Sequence, residues 1–188
     1  TRLALELFER AGSEEGAIRA RQAFVLIYFV QGRFAEAREM GLLNLEAIRR
    51  TGAGSRVADS LMILAVASIF MDDLEAGRWY LTESGRLTSG IATDEVAGLT
   101  IASHVALRAG RPEDGARLAG AAQREATESK VTNIALAVLR IPDPAVSAVA
   151  VLGDRTDALV AEGRAMTRDD ALALGREIAA PQESLDPT

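Results

Sequence analysis

The chain has 188 residues, a formal net charge of −6 at pH 7, no cysteine, and 48% hydrophobic but only 4% aromatic residues. This length suffices for one domain with its own core. The lack of cysteine excludes disulfides and thiolate metal sites, and the acidic balance argues against nucleic-acid binding, which needs clustered Lys and Arg. Many of the hydrophobic residues are alanines, which favour helix over strand, so the composition predicts an all-α protein.

No signal-peptide pattern is visible, and the longest apolar run, around residues 61–71, is too short to cross a bilayer. We therefore expect a cytoplasmic protein that contacts neither a membrane nor nucleic acid directly.

The first predicted helix covers residues 2–11. Its pattern, Ala4-x3-Phe8-x2-Ala11, is typical of the second helix of a tetratricopeptide pair, yet no first helix precedes it. We therefore expect the chain to begin halfway through a repeat, as part of a longer protein with further domains upstream.

Three predicted helix pairs follow, over residues 14–51, 56–88 and 93–129, with a Gly- and Ser-containing break at 51–55 before the second pair. Small residues recur early in the second helices, and the column Ala4, Ala37, Gly77, Gly115 has spacings of 33, 40 and 38 residues. Such spacing is typical of tetratricopeptide-like or HEAT-like pairs, which stack because one pair cannot bury its own apolar face. The motifs are Tyr28-x3-Gly32-x-Phe34-x2-Ala37, Asp72-x-Leu74-x2-Gly77 and Gly110-x-Pro112-x2-Gly115.

The period fails after residue 130, where a non-repeating cap is predicted over 131–179. A weak helix at 131–140 is expected to end at Pro142 and Pro144. Shorter helices are predicted at 144–152, 154–165 and 167–179, the last beginning at Thr167-x-x-Asp170, which resembles a capping box. No linker divides residues 1–180 into two domains, and the polar tail 181–188 is predicted to be disordered.

Two stretches of this second half resemble a known family. They are Ala106–Ala122, with the sequence ALRAGRPEDGARLAGAA, and Leu152-Gly153 followed by LVAEGRAMTRDDA from Leu159 to Ala171. They are similar to the C-terminal region of bacterial signal-transduction ATPases, in which tetratricopeptide-like repeats follow a nucleotide-binding ATPase. Such regulators often carry a LuxR-type or antibiotic-regulator DNA-binding domain or a nucleotide cyclase. The resemblance covers about residues 95–176 and implies a module that senses or transmits a signal; residues 124–147 depart from the family pattern.

Residues typical of catalysis are scarce, and we predict no catalytic, cofactor-binding or metal-binding residue and no enzyme activity. The sole lysine, Lys130, lacks a P-loop context, and the sole histidine, His104, excludes two-histidine metal sites. His104 is expected either to pack or to contact a ligand. Trp79 is expected to pack between helices, or else to mark a recognition surface. The adjacent acid pairs Glu14-Glu15, Asp72-Asp73 and Asp169-Asp170 are read as helix starts, and Arg49, Arg50 and Arg56 as a solvated helix end rather than a basic patch.

Aligning the repeats predicts an inner face on the first helices, either open as a binding groove or covered by the final helices or a second subunit, with coverage favoured. Its candidate binding residues are Gln22, Leu26, Phe29, Met62, Val66, Ile69, Thr100, His104 and Leu107.

The sequence thus predicts a right-handed, tetratricopeptide-like solenoid with a helical cap. Its expected function is to bind a protein, peptide or small effector within a larger bacterial transcriptional regulator or signalling ATPase. The alternative is a structural module that forms a homodimer through the inner face.

Overall fold

The structure, a computed structural model, describes residues 2–51, 54–88, 90–130 and 141–181. Throughout these ranges the regular elements are helices and no strand occurs, which confirms the all-α prediction. A 3₁₀ turn, Gly153–Arg155, joins the eighth and ninth helices described here. The α-helices are α1 (Arg2–Arg10), α2 (Glu14–Val30), α3 (Phe34–Thr51), α4 (Gly54–Phe70), α5 (Leu74–Thr88), α6 (Ala92–Arg108), α7 (Pro112–Glu128), α8 (Pro144–Leu152), α9 (Thr156–Ala165) and α10 (Arg168–Ala179).

The helix ends agree closely with the predicted ones, because the turn and capping residues act locally. Ser13 accepts a hydrogen bond from the Gly16 N–H at the start of α2, and Thr167 accepts one from the Asp170 N–H at the start of α10. The main difference is the break before α4, where helix is present up to Thr51 and again from Gly54. The predicted helix at 131–140, and the predicted tail beyond Pro181, lie outside the described residues.

One turn geometry recurs along the first two thirds of the chain. In each case a residue adopts a left-handed conformation, and the N–H of the next residue donates to the carbonyl five residues earlier at 2.8 to 2.9 Å. This is the hydrogen-bond pattern of a Schellman cap, which satisfies carbonyls left free at a helix end. The left-handed residues are Gly12, Gly32, Asp72 and Gly110, with φ of 67°, 70°, 61° and 75°.

Three of these turns lie at the centre of a predicted pair, but the turn at Gly12 joins α1 to α2. Such a turn therefore does not by itself mark the middle of a pair. At the second pair Asp72 takes the conformation that glycine adopts elsewhere, at some steric cost. Its carboxylate accepts a hydrogen bond of 2.6 Å from Arg108 at the end of α6.

The helices pack largely in chain order. The pairs α2–α3, α4–α5 and α6–α7 make extensive contacts, and α3 and α5 each pack in addition on the first helix of the next pair. Beyond α7 this order ends, because α8 and α9 both pack on α7, while α10 folds back over α5, α6 and α7. The main core reaches from Val25 to Ala179, so α10 is part of the same hydrophobic core as the pairs.

In the described part of the chain, no helix has both the length and the apolar character needed to cross a bilayer.

Candidate binding groove

The predicted inner-face residues do not form one open surface. Four of the nine are buried in the chain's own core, four are partly buried, and one is exposed. This burial occurs within a single chain, so self-association through the face gains no support from the geometry. The buried residues are Phe29, Val66, Ile69 and His104, the partly buried ones are Leu26, Met62, Thr100 and Leu107, and the exposed one is Gln22.

At the third pair, the covering element is the segment that follows the pairs. Thr100 lines a 280 Å³ cleft whose other wall includes residues 141–144. Leu107 packs into a small cluster with Ala148 on α8 and with Leu159 and Val160 on α9. At this end the face is therefore covered, and the final helices rather than a second subunit cover it.

His104 links the third pair to that segment. Its Nε2 lies 3.0 Å from the carbonyl oxygen of Pro142, so the neutral ring carries its proton on Nε2 and donates it there. Burial lowers the pKa of His104; the Pro142 carbonyl opposes this shift, Arg108 adds to it and Asp143 opposes it. The residue is only 6% exposed, so it has a packing role and is closed to an outside ligand.

An aromatic ladder crosses the three pairs beside this histidine. Phe29 meets Phe34 edge-on at 5.5 Å between ring centroids, Phe34 stacks on Phe70 at 5.3 Å, and Phe70 lies 5.8 Å from the His104 ring. The Arg108 guanidinium lies over Phe70, 5.0 Å from its centroid. The ladder fixes successive pairs to one another through ring contacts rather than forming a pocket.

The remaining candidates divide between structure and surface. Trp79 is 46% exposed, whereas its neighbour Tyr80 packs into the core, so the packing role expected of Trp79 is taken by Tyr80. The acid pairs Glu14-Glu15 and Asp169-Asp170 lie in first helical turns, and the Asp73 carboxylate accepts from the Ala76 N–H at 3.2 Å.

Two of the three arginines considered as a basic patch are paired with carboxylates. Arg50 pairs with Glu14 at 3.0 Å, and Arg56 pairs with Glu15 at 2.7 Å. Their charges are thus neutralised at the start of α2, which agrees with the solvated helix-end interpretation.

A larger cavity, with a volume of 570 Å³, lies elsewhere, between α5, α6 and α10. Such a volume is in the range of small-molecule sites. Its apolar walls come from Leu81, Leu99 and Leu172. The space exists because side chains are missing from the facing helices: a Cβ added at Gly85 or Gly98 would meet no atom within 4 Å. We call this cavity the α5–α6–α10 groove.

The groove keeps its shape because α10 is fixed at both ends. At its start, Arg168 donates two hydrogen bonds of 2.6 and 2.8 Å and one of 3.1 Å to Glu95 on α6. At its end, the Ala179 carbonyl accepts from the Thr82 hydroxyl at 2.9 Å and the Ala180 carbonyl from Arg78 at 3.1 Å. Arg78 is buried, and desolvation lowers its pKa, with the nearby Arg111 adding to the effect.

Two neighbouring acidic residues of α6, Asp94 and Glu95, line the groove and differ in their hydrogen bonding. Both oxygens of the Glu95 carboxylate accept hydrogen bonds from Arg168, and Oε1 also accepts one from the Gly90 N–H at 3.1 Å. The Asp94 carboxylate has no hydrogen bond or ion pair with another described residue. Desolvation raises the pKa of Asp94, and its charge in turn raises the pKa of Asp59 on α4 beyond what desolvation does there.

Sequence reasoning did not find this groove. Glycines inside predicted helices were an available signal, since they cost stability there and often mark close packing or open space. Comparisons with protein-family models, curated proteins and solved structures find no match to the chain. Within the described ranges, no group of three or more His, Asp or Glu side chains is placed to hold a metal ion.

Proposed function

We propose that this chain is a non-enzymatic, effector-binding regulatory module of a larger cytoplasmic bacterial protein, either a transcriptional regulator or a signalling ATPase. The effector binds in the α5–α6–α10 groove. In this proposal the three pairs belong to a right-handed, tetratricopeptide-like solenoid, and α8 to α10 form its cap. Support for the repeat comes from the recurring Schellman turns and from the chain-order packing of the pairs.

One observation carries the binding role: the groove is a 570 Å³ space bounded by an α10 that is hydrogen-bonded at both ends. A wall fixed in this way gives a preformed site, which lowers the entropic cost of binding. The wall is also a separate helix that packs on three earlier ones. A ligand that contacts both α6 and α10 stabilises the state in which α10 is packed on the earlier helices over a state in which it is released. A regulatory ligand must bind one of two states more tightly in this way.

The test uses 2-phenylethanol as a neutral probe and nuclear magnetic resonance of the isotope-labelled chain. The amides of Gly85, Gly98 and Gly175 report on the groove, because all three glycines line it. We expect saturable shifts at these amides, and their loss in Gly98→Leu, whose side chain fills the groove. Thr93→Leu, at an exposed position of the same helix, serves as the control and should bind as the parent does. Shifts spread over the whole chain, or equal binding by Gly98→Leu, would contradict the proposal.

A further inference from the structure

We propose that the α5–α6–α10 groove binds a small organic cation, with an ammonium group on Asp94 and an apolar body over Leu99 and Leu172. The inference rests on the proposed function, because it names the ligand class of the same groove.

The groove's walls call for an apolar body. Leu81, Leu99 and Leu172 line it, and a Cβ added at Gly85 or Gly98, which line it too, would meet no atom within 4 Å. Burial of the ligand's apolar surface against these leucines favours binding but does not fix the ligand's orientation. A polar contact is then needed to orient the ligand in the groove.

Asp94 supplies that polar contact. It is partly buried, it lines the groove, and its carboxylate has no partner among the described residues. Its place in the first turn of α6 favours the ionised form, yet desolvation prevails and raises its pKa. A carboxylate that is desolvated and unpaired gains more from an incoming cation than a solvated or already bonded one does.

The arginines around the groove do not offer an equivalent site for an anion. Arg168 is fully engaged with Glu95, and Arg86 is paired with Glu83. Arg176 makes no ion pair in the described chain, but it is exposed and lies in the last turn of α10, where a cation complements the helix dipole. Arg176 is also eight residues beyond Arg168, about 12 Å along the helix axis, and it does not contribute to the shift of the Asp94 pKa, which desolvation causes.

The experiment compares three probes of matched shape: phenethylammonium, 2-phenylethanol and 3-phenylpropionate. Each is titrated into the labelled chain, and the dissociation constant is taken from the Gly85, Gly98 and Gly175 amide shifts. We expect phenethylammonium to bind about tenfold more tightly than 2-phenylethanol, as one charge-assisted hydrogen bond at a partly solvated site allows. We expect 3-phenylpropionate to bind more weakly than the alcohol.

Two variants assign the preference to its residue. Asp94→Asn keeps the shape and should remove the tenfold advantage of the ammonium probe over the alcohol. Arg176→Gln is the matched control and should leave ammonium binding as it is. The inference is overturned if Asp94→Asn keeps the tenfold preference, or if 3-phenylpropionate binds most tightly and Arg176→Gln abolishes its binding.

The failure of this inference is distinguishable from failure of the proposed function. If the alcohol and the ammonium bind the groove equally, the cation preference is wrong and the groove remains a ligand site. If none of the three probes shifts the groove amides, both proposals are wrong.

Discussion

Gly120 on α7 and Gly163 on α9 lie at a helix crossing where each helix touches the backbone of the other. A Cβ on Gly120 would overlap the carbonyl of Val160, and a Cβ on Gly163 would overlap that of Arg117. Neither neighbour can move out of the way, because both are backbone atoms of a packed helix. The position of α9 on the end of the pairs therefore depends on the absence of two side chains.

Gly163→Ala should force α7 and α9 apart and lower the free energy of unfolding by about 1–3 kcal/mol, the usual cost of overpacking. Urea denaturation followed by circular dichroism measures it. The control is Gly85→Ala, a helical glycine with open space at its Cβ. The gain in helix propensity should make that variant more stable by about 0.5–1 kcal/mol. Equal stability of Gly163→Ala and the parent would show that the close crossing is not required.

These glycines also show which features of the structure can be predicted from the sequence and which cannot. The helix ends were predictable because they depend on local residues, such as the Thr167 cap and the left-handed Gly32 and Gly110. Gly98 and Gly163 look alike in the sequence, since each lies within a predicted helix. Only the placement of α9 and α10 decides that one faces open space and the other a carbonyl.

The candidate site was less predictable for the same reason. The alignment of the pairs placed Phe29 and His104 on one face, but their exposure depends on what packs there, and that information lies in long-range contacts. Glu95 and Arg168 are 73 residues apart, yet their ion pair fixes one end of the groove. Neither residue has a neighbour in the sequence that indicates this partner.

Phe29→Asp should unfold the chain or come close to it. Phe29 is 3% exposed and packs in the main core, so the substitution removes a buried ring and adds a buried, unpaired charge. We expect a loss of at least about 3 kcal/mol in the free energy of unfolding. Gln22→Asp, at an exposed position of the same helix, should change it by less than about 0.5 kcal/mol. Calorimetry of both variants is the measurement, and a stable Phe29→Asp would show that the face is open in solution.

Glu95→Gln should loosen the start of α10, because it removes the carboxylate that accepts three hydrogen bonds from Arg168. We expect faster hydrogen exchange at the amides of the first half of α10, with little change in α2 and α3. Glu83→Gln, which breaks the exposed pair with Arg86 near the same groove, provides the control and should leave α10 exchange unchanged. An α10 that stays equally protected in Glu95→Gln would mean that the apolar contacts of the helix alone hold it in place.

At acid pH, the titration of His104 should lower the free energy of unfolding of the chain. Burial lowers the pKa of His104 in the folded state, while the unfolded chain titrates near the ordinary value of 6.5. Above that pH the ring is neutral in both states, so it contributes no pH dependence. As the pH falls below it, the unfolded state takes up a proton that the folded state does not. The free energy of unfolding therefore decreases until the pH reaches the folded-state pKa.

His104→Gln isolates this effect, because glutamine can still donate a hydrogen bond to the Pro142 carbonyl but does not titrate. Asp59 and Asp94 act with the opposite sign: their raised pKa values make the folded state protonate first, so acid stabilises it through them. Both aspartates are present in parent and variant, and their contribution cancels in the difference between the two. We therefore expect the stability of the parent relative to His104→Gln, measured by urea denaturation, to fall between pH 7 and pH 5. A pH-independent difference would mean that His104 takes up its proton without cost, and that the ring is more hydrated in solution than its contacts with Phe70 and Pro142 imply.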